Sequence, residues 1–330
     1  MKKENIVFGV MLVCTFLLSG CAQKHIRVQS IAPAQHEKAL QYKRLSVLPI
    51  SNDVYALGGM VEEKLLNASF QQKPLFKLIT HQNIPALQDI SRIKTPVKEV
   101  DALVSIQLDS PVVYDTPFYL ERLKCGDSTC KYMYTYYMPC IQRDYTVLVH
   151  FRMIDAQSGD LILSKNISQT TQRKACETPG YTTLPNTEWI LKGLHEESAK
   201  QFVAFMSPTY YAVSARFATE ETDIALTAEA KKYLEIGMDA LKEQYIEKAQ
   251  SAFEKVLELS EGKSYVATHN LGLVYEAKGA FTHAYNLFKT CTHLVKNPKE
   301  HLELQLSLER IRQTLFKEAK VFEQTTAFTR

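Results

Sequence analysis

Gly237, Ala249 and Phe253 recur at the same mutual spacing as Gly272, Ala284 and Phe288, thirty-five residues further on. A fixed period of that length marks stacked supersecondary units, each too small to bury its own apolar face. The small residues let two helices approach closely, and the aromatic ring fills the gap between them. The surroundings agree: Leu226–Leu259 also holds Tyr233 and Ile236, and the second copy, HNLGLVYEAKGAFTHAYNLF, adds Leu271, Tyr275 and Gly279. Pro298–Phe322 then reads as a capping helix with a polar outer face, as a terminal repeat requires. GKS at Gly262–Ser264 has Leu257 where a phosphate loop needs glycine, so it reads as the turn between copies.

The preceding two hundred residues carry other periods. Arg44–Ile50, Leu75–Thr80 and Asp101–Leu108 read as strands, and Gly59–Ser69 and His81–Ile90 as helices, the second interrupted by Pro85. Strand and helix alternating predicts an α/β layer with partly parallel pairing. Tyr145–Ile154 alternates with period two, Val147, Val149, Phe151 and Met153 sharing a face, and after the turn Asp155–Gly159 the run Leu161–Thr171 returns as a hairpin. Asn186–Met206 reads as a helix capped by Thr187 and stopped before Pro208, and Tyr210–Phe217 as a last strand closing the sheet. The expected fold is an α+β domain, a mixed sheet with helices, followed by an all-α repeat domain.

The chain opens MKKENIVFGVMLVCTFLLSGC: two lysines, then an apolar run Ile6–Leu18, too short for the roughly 20 residues of a membrane span but suited to a signal peptide. Leu18-Ser19-Gly20-Cys21 resembles the lipobox of bacterial lipoproteins. That resemblance implies cleavage before Cys21 and acylation of its thiol, and Ala22, being non-acidic, implies the outer membrane with the body facing the periplasm. Multiple acyl chains anchor stably where one does not. Residues 1–20 are then signal peptide, 21–43 the lipidated cysteine and a polar linker, 44–218 the α/β domain and 226–322 two repeats with their cap. The repeats themselves resemble tetratricopeptide repeats. The order LSVLPISND, helix, LFKLITHQNI, VDALVSIQLDS, LVHFRMIDAQSGDLILS resembles the periplasmic domain of curli-secretion-type and penicillin-binding-protein-activator lipoproteins.

Formal net charge is +3 with both signs mixed throughout, which gives no basic stripe for nucleic acid. No H-E-x-x-H, G-x-S-x-G or G-x-G-x-x-G occurs, the histidines are scattered, and no catalytic constellation, metal site or cofactor is expected. SNDVYALGG enters a helix whose N-terminus could hold an anion or be a plain loop. In the repeat family the inner helix face lines a peptide groove. The matching positions are Leu234, Met238, Leu241, His269, Leu273 and Glu276, and this face either receives an envelope protein or peptide or packs on the chain's own elements.

Four cysteines remain after Cys14, Cys21 and the core thiol Cys291. Their spacing lacks the paired knuckles of zinc sites. Cys125 and Cys130 bracket a four-residue turn. Cys140 and Cys176 bracket the second hairpin about residue 158 if no bulge shifts the register. The expected pairs are therefore Cys125–Cys130 and Cys140–Cys176, stapling a tyrosine-rich strand that is either packing or a protein contact surface. Two functional readings follow. One is a non-enzymatic, outer-membrane-tethered scaffold or adaptor; the other is an oligomeric pore subunit of the curli-secretion type that inserts β-hairpins. Homo-oligomerisation stays open.

Overall fold

The computed structural model describes residues 25–87, 96–176, 183–221 and 224–326. The expected signal peptide 1–20, with Cys14, and Cys21 up to Lys24 lie outside them, as do residues 88–90 of the expected helix His81–Ile90. The chain forms two compact units: the described residues up to Ala32 with Tyr210–Lys320, and Pro33–Thr209 with the described residues from Val321.

The second of these is mixed α/β. Its strands are β2 (Arg44–Val47), the short β3 (Ser69–Phe70), β4 (Lys73–Pro74) and β5 (Lys77–Leu78), then β6 (Ala102–Leu108), β7 (Val112–Cys125), β8 (Met133–Asp155) and β9 (Leu161–Cys176); its helices are α1 (Leu57–Asn67) and α2 (Thr187–Met206). β2 lies parallel to both β5 and β6, and β6 lies antiparallel to β8. β8 is the spine: it pairs with β6 near its C-terminal end, with β7 near its N-terminal end, and with β9 along most of its length. Asp101 locks the parallel start, accepting from Arg44 Nε and Nη2 at 3.0 and 2.7 Å and from the backbone N–H groups of Lys43 and Arg44.

The period-two run of β8 does what it predicts. Tyr145, Val147, Val149, Phe151 and Met153 are buried, and α2 lies against that face, with Ile190 and Leu191 on Tyr145 and Val147 and Phe202 stacked on Phe151 at 4.3 Å. Asn186, not Thr187, caps α2: its Oδ1 accepts from Glu188 N at 2.7 Å and Trp189 N at 3.3 Å. Asp155 shapes the β8–β9 turn by accepting from Gln157 N and Ser158 N, and Gly159 supplies the positive φ of 81° that the turn requires. His81–Ile90 does not start as an α-helix: Pro85, which lacks an N–H, divides two 3₁₀ turns at His81–Asn83 and Pro85–Leu87.

The other unit is mostly helical: α3 (Ala228–Lys242), α4 (Ile246–Leu259), α5 (Tyr265–Ala277), α6 (Phe281–Cys291) and α7 (Pro298–Thr326), whose last turns, from Val321, belong to the α/β unit. α3 and α5 each pass a glycine under an aromatic ring of the helix that follows. A Cβ on Gly237 would meet Phe253 at 2.6 Å, and one on Gly272 would meet Phe288 at 2.6 Å. Two expectations are corrected here. Residues 22–43 are not simply a linker, because His25–Ala32 is a strand (β1) and Glu37–Gln41 a 3₁₀ turn with Ala39 and Leu40 buried. And Tyr210–Phe217 does not close the large sheet: β10 (Thr209–Arg216) pairs with β1 in a two-stranded sheet. Ile26 and Val28 of β1, with Ala215 and Phe217, join the same core as the repeat helices. The boundary expected at 218 therefore falls earlier, and the N-terminal strand is built into the helical unit.

Candidate functional site

The expected groove is filled by the chain itself. Leu234, Leu241, His269, Leu273 and Glu276 are buried, and Met238 is partly so, packed on the same core. The reason is visible in α5, which is buried nearly all round, with β1 and the unit's part of α7 packed in the same core. Its polar residues are consequently paired within the unit. His269 Nε2 meets Ser307 Oγ at 3.1 Å, Asn270 exchanges two hydrogen bonds with the Ala218 backbone, and Glu276 takes a bidentate contact from Arg310 Nε and Nη2 at 2.8 Å each. Burial pushes the His269 imidazole down to about 4, and it raises the Glu276 carboxyl even against the pull of Arg310.

The anion reading of the α1 N-terminus is also displaced. Asp53 places its own carboxylate there, Oδ1 accepting from Leu57 N at 2.7 Å and Oδ2 from Gly58 N at 2.9 Å. His195 is buried against Tyr55 at 4.9 Å between ring centroids, neither ring nitrogen has a hydrogen-bond partner among the described residues, and burial pushes its imidazole down. His150 sits opposite Asn166 in the β8–β9 register; its Nδ1 meets Asn166 Oδ1 at 2.9 Å and its Nε2 meets Asp109 Oδ2 at 3.2 Å, contacts that raise its pKa. Among the described residues no cluster of three or more metal-ligating side chains occurs, and no helix is long and apolar enough to cross a membrane.

Exposed large apolar side chains occur in several places, Trp189 and Phe316 among them, and they are most concentrated along the β7–β8 hairpin. Cys140 stands directly opposite Cys176 and is bonded to it; the one register shift between β8 and β9 falls at Met153/Ile154. β9 ends there, so from Phe118 to the tip β7 and β8 run on as a two-stranded arm. At the tip Cys125 is bonded to Cys130. Asp127 folds the loop between them, its Oδ1 accepting from Thr129 N, Thr129 Oγ1 and Lys131 N; the Thr129 contact is the main cause of its lowered carboxyl pKa. Gly126 is required because the Tyr132 ring lies where a Cβ would stand, and Tyr132 in turn stacks on Tyr134 at 6.4 Å. By loop entropy the crosslink at the base, spanning 36 residues, restricts the unfolded chain by about 4 kcal/mol and the tip by about 2.

Neither face of the arm is covered along its length. Alternation puts Tyr119, Leu123, Met133 and Tyr137 on one face, where Tyr119 is 73% exposed, Leu123 68% and Tyr137 66%. The other face carries Phe118, Leu120, Tyr134 and Tyr136, sinking into buried Met138 and Cys140 at the base. Asp115 and Arg143, opposite one another, form a bidentate pair at 2.6 and 2.7 Å that stiffens the approach, and Arg143 holds the Asp115 carboxyl low. Rigid tyrosines and a leucine present large contact area at small entropic cost. On this arm Tyr119, Leu123, Met133 and Tyr137 are exposed and not packed on another element.

No family model matches the chain, and no curated protein matches it. Among solved structures it is similar to a minor lipoprotein from Acinetobacter baumannii, at 13% identity over 49% of this chain and 90% of that one, with a TM-score of 0.23. It is also similar to a Helicobacter pylori homolog of a neuraminyllactose-binding hemagglutinin, at 11% identity over 53% of this chain and 88% of that one, with a TM-score of 0.29. Likeness at that level carries no argument about fold or function.

Proposed function

We propose that the chain is a non-enzymatic binding protein, tethered through acylated Cys21 to the outer membrane and facing the periplasm, whose disulfide-braced arm contacts an envelope protein. The observation that carries this reading is the row Tyr119, Leu123 and Tyr137, exposed on a hairpin held by two disulfides. Disulfides suit an oxidising compartment, which agrees with the lipobox reading of the N-terminus. The helical pairs fit tetratricopeptide repeats in their period and in the glycine-to-aromatic contacts, but here they act as a closed scaffold that holds β1 and α7. Partner contact belongs to the arm.

The pore reading draws support from one feature, the fourteen-residue length of β7, which exceeds the about ten residues a tilted membrane strand needs. Against it, Arg122 and Lys124 sit on one face and Glu121 on the other, so either lipid-facing choice would bury charge at a cost of about 2–4 kcal/mol for each basic residue at mid-bilayer. Substituting Tyr119, Leu123 and Tyr137 together by Ser should abolish co-purification of a crosslinked partner while leaving both disulfides and the circular dichroism intact. Undiminished co-purification would refute the arm as the contact. A Cys21→Ala form that resists urea extraction from membranes would favour the pore.

A further inference from the structure

A second site lies on the far edge of the mixed sheet, within the α/β unit. A cavity of about 450 Å³ is bounded by the β3–β4 turn, β5 and the last turns of α7, a size within the range of about 300–1,000 Å³ usual for small-ligand pockets. Phe70, Leu75 and Phe76 line it as largely buried apolar surface, and Phe322 stands exposed at its wall. Around this apolar lining stand Lys43, Lys73 and Lys77. None of the three ammonium groups forms an ion pair among the described residues, and Asp101, the carboxylate bonded to the Lys43 backbone, is held by Arg44. The wall is built at a cost: Gln71 and Gln72 both take positive φ, 49° and 64°, in a two-residue turn where Asn-Gly is the unstrained choice. Consecutive left-handed non-glycine residues persist where the surroundings hold them, and such strain gathers at ligand sites.

The geometry points to a binding site for a small amphipathic anion, its apolar body against Phe70, Leu75, Phe76 and Phe322 and its carboxylate or phosphate among the three lysines. Three cations without an ion pair over an apolar floor disfavour a cationic ligand and favour an anionic one. Burial pushes the Lys43 ammonium down, a penalty that a bound anion would offset. The site is independent of the arm and of the functional reading built on it.

The test uses dodecyl phosphate, below its micelle concentration, titrated calorimetrically into the full mature chain carrying Cys21→Ala. Saturable binding is expected, with dodecyltrimethylammonium giving none. Each of Lys73→Gln and Lys77→Gln should weaken binding by about fivefold, the scale of a partly exposed ion pair. Both lysines are exposed, so the fold should survive. Phe322→Ser should weaken it as well. A second arm uses phosphatidylglycerol vesicles: a site for the soluble anion binds dodecyl phosphate whether or not the vesicles bind. No saturable binding, equal binding of the cationic amphiphile, binding of the vesicles alone, or binding untouched by the lysine and Phe322 substitutions would each overturn the proposal.

Discussion

Arg310→Met should be among the most damaging single changes in the helical unit. Glu276 is 0% exposed and Arg310 19%, and the two share a bidentate contact with both distances at 2.8 Å. Removing the arginine strands a carboxylate in the core, which costs about 3–5 kcal/mol. Removing both charges in Glu276→Leu/Arg310→Met should leave the protein within about 1 kcal/mol of the parent or more stable, because the desolvation penalty of the pair disappears with its attraction. A pH signature accompanies this. Burial already raises the Glu276 carboxyl above its unfolded value, so its folded form holds a proton more readily; stability from this group is greatest below the unfolded pKa and declines as pH rises through the folded one. Without Arg310 the Glu276 shift grows and a charge that helps depress His269 is gone, and both effects make the deficit of Arg310→Met relative to the parent shrink on acidification. Urea unfolding followed at 222 nm, with hydrogen exchange of α5 peptides, reads the helical unit. Fluorescence of Trp189, the single tryptophan, reads α2 in the other unit and should change little. A single variant costing under about 0.5 kcal/mol, or a double variant as unstable as the single, would refute the account of how α7 closes the concave face.

Two further outcomes follow from the same unit. Gly272→Ala gains about 1 kcal/mol of helix propensity but drives a methyl to 2.6 Å from Phe288; overpacking of about 1–3 kcal/mol should leave a net loss, which Phe288→Leu in the same chain should relieve, and a stability gain from Gly272→Ala would contradict this. His269 is neutral when folded, pushed down to about 4 from 6.5 by burial, so the stability it contributes is complete above the unfolded pKa and lost as pH falls from about 6.5 toward 4; the urea midpoint of the helical unit should drop across that window, and His269→Gln should flatten the drop.

The elements easiest to foresee were those whose residues report one environment. β8 shows its period over the whole of Val147–Met153 because one face meets α2 and the other does not. The repeats show theirs because Gly237 and Gly272 each have one aromatic ring to admit. The disulfide pairing followed from counting along the hairpin: beside the turn Ile154 pairs with Leu161, and the bulge at Met153/Ile154 shifts the register by one, so that Met153 meets Leu163 and Cys140 meets Cys176. β1 was missed although Ile26, Val28 and Ser30 alternate with Arg27 and Gln29: its partner β10 is nearly two hundred residues away, and no local signal names a partner at that distance. The concave face stayed open between groove and internal packing for a related reason, and the structure shows the packing. His269 and Glu276 look like groove residues on a helix wheel, yet Ser307 and Arg310, which pair with them, lie one helix pair later. The lysine cavity was invisible because Lys43, Lys73 and Lys77 come together with Phe322 only through the fold.

The central claim is that contact with a partner runs through the arm and not through the repeats. Photo-crosslinking residues introduced in vivo one at a time at Tyr119, Leu123 and Tyr137, and separately at the exposed helical positions Glu254 and Lys289, test it directly. The account predicts one discrete adduct common to the three arm positions and none from the two helical positions; adducts from the helical positions with none from the arm would contradict it.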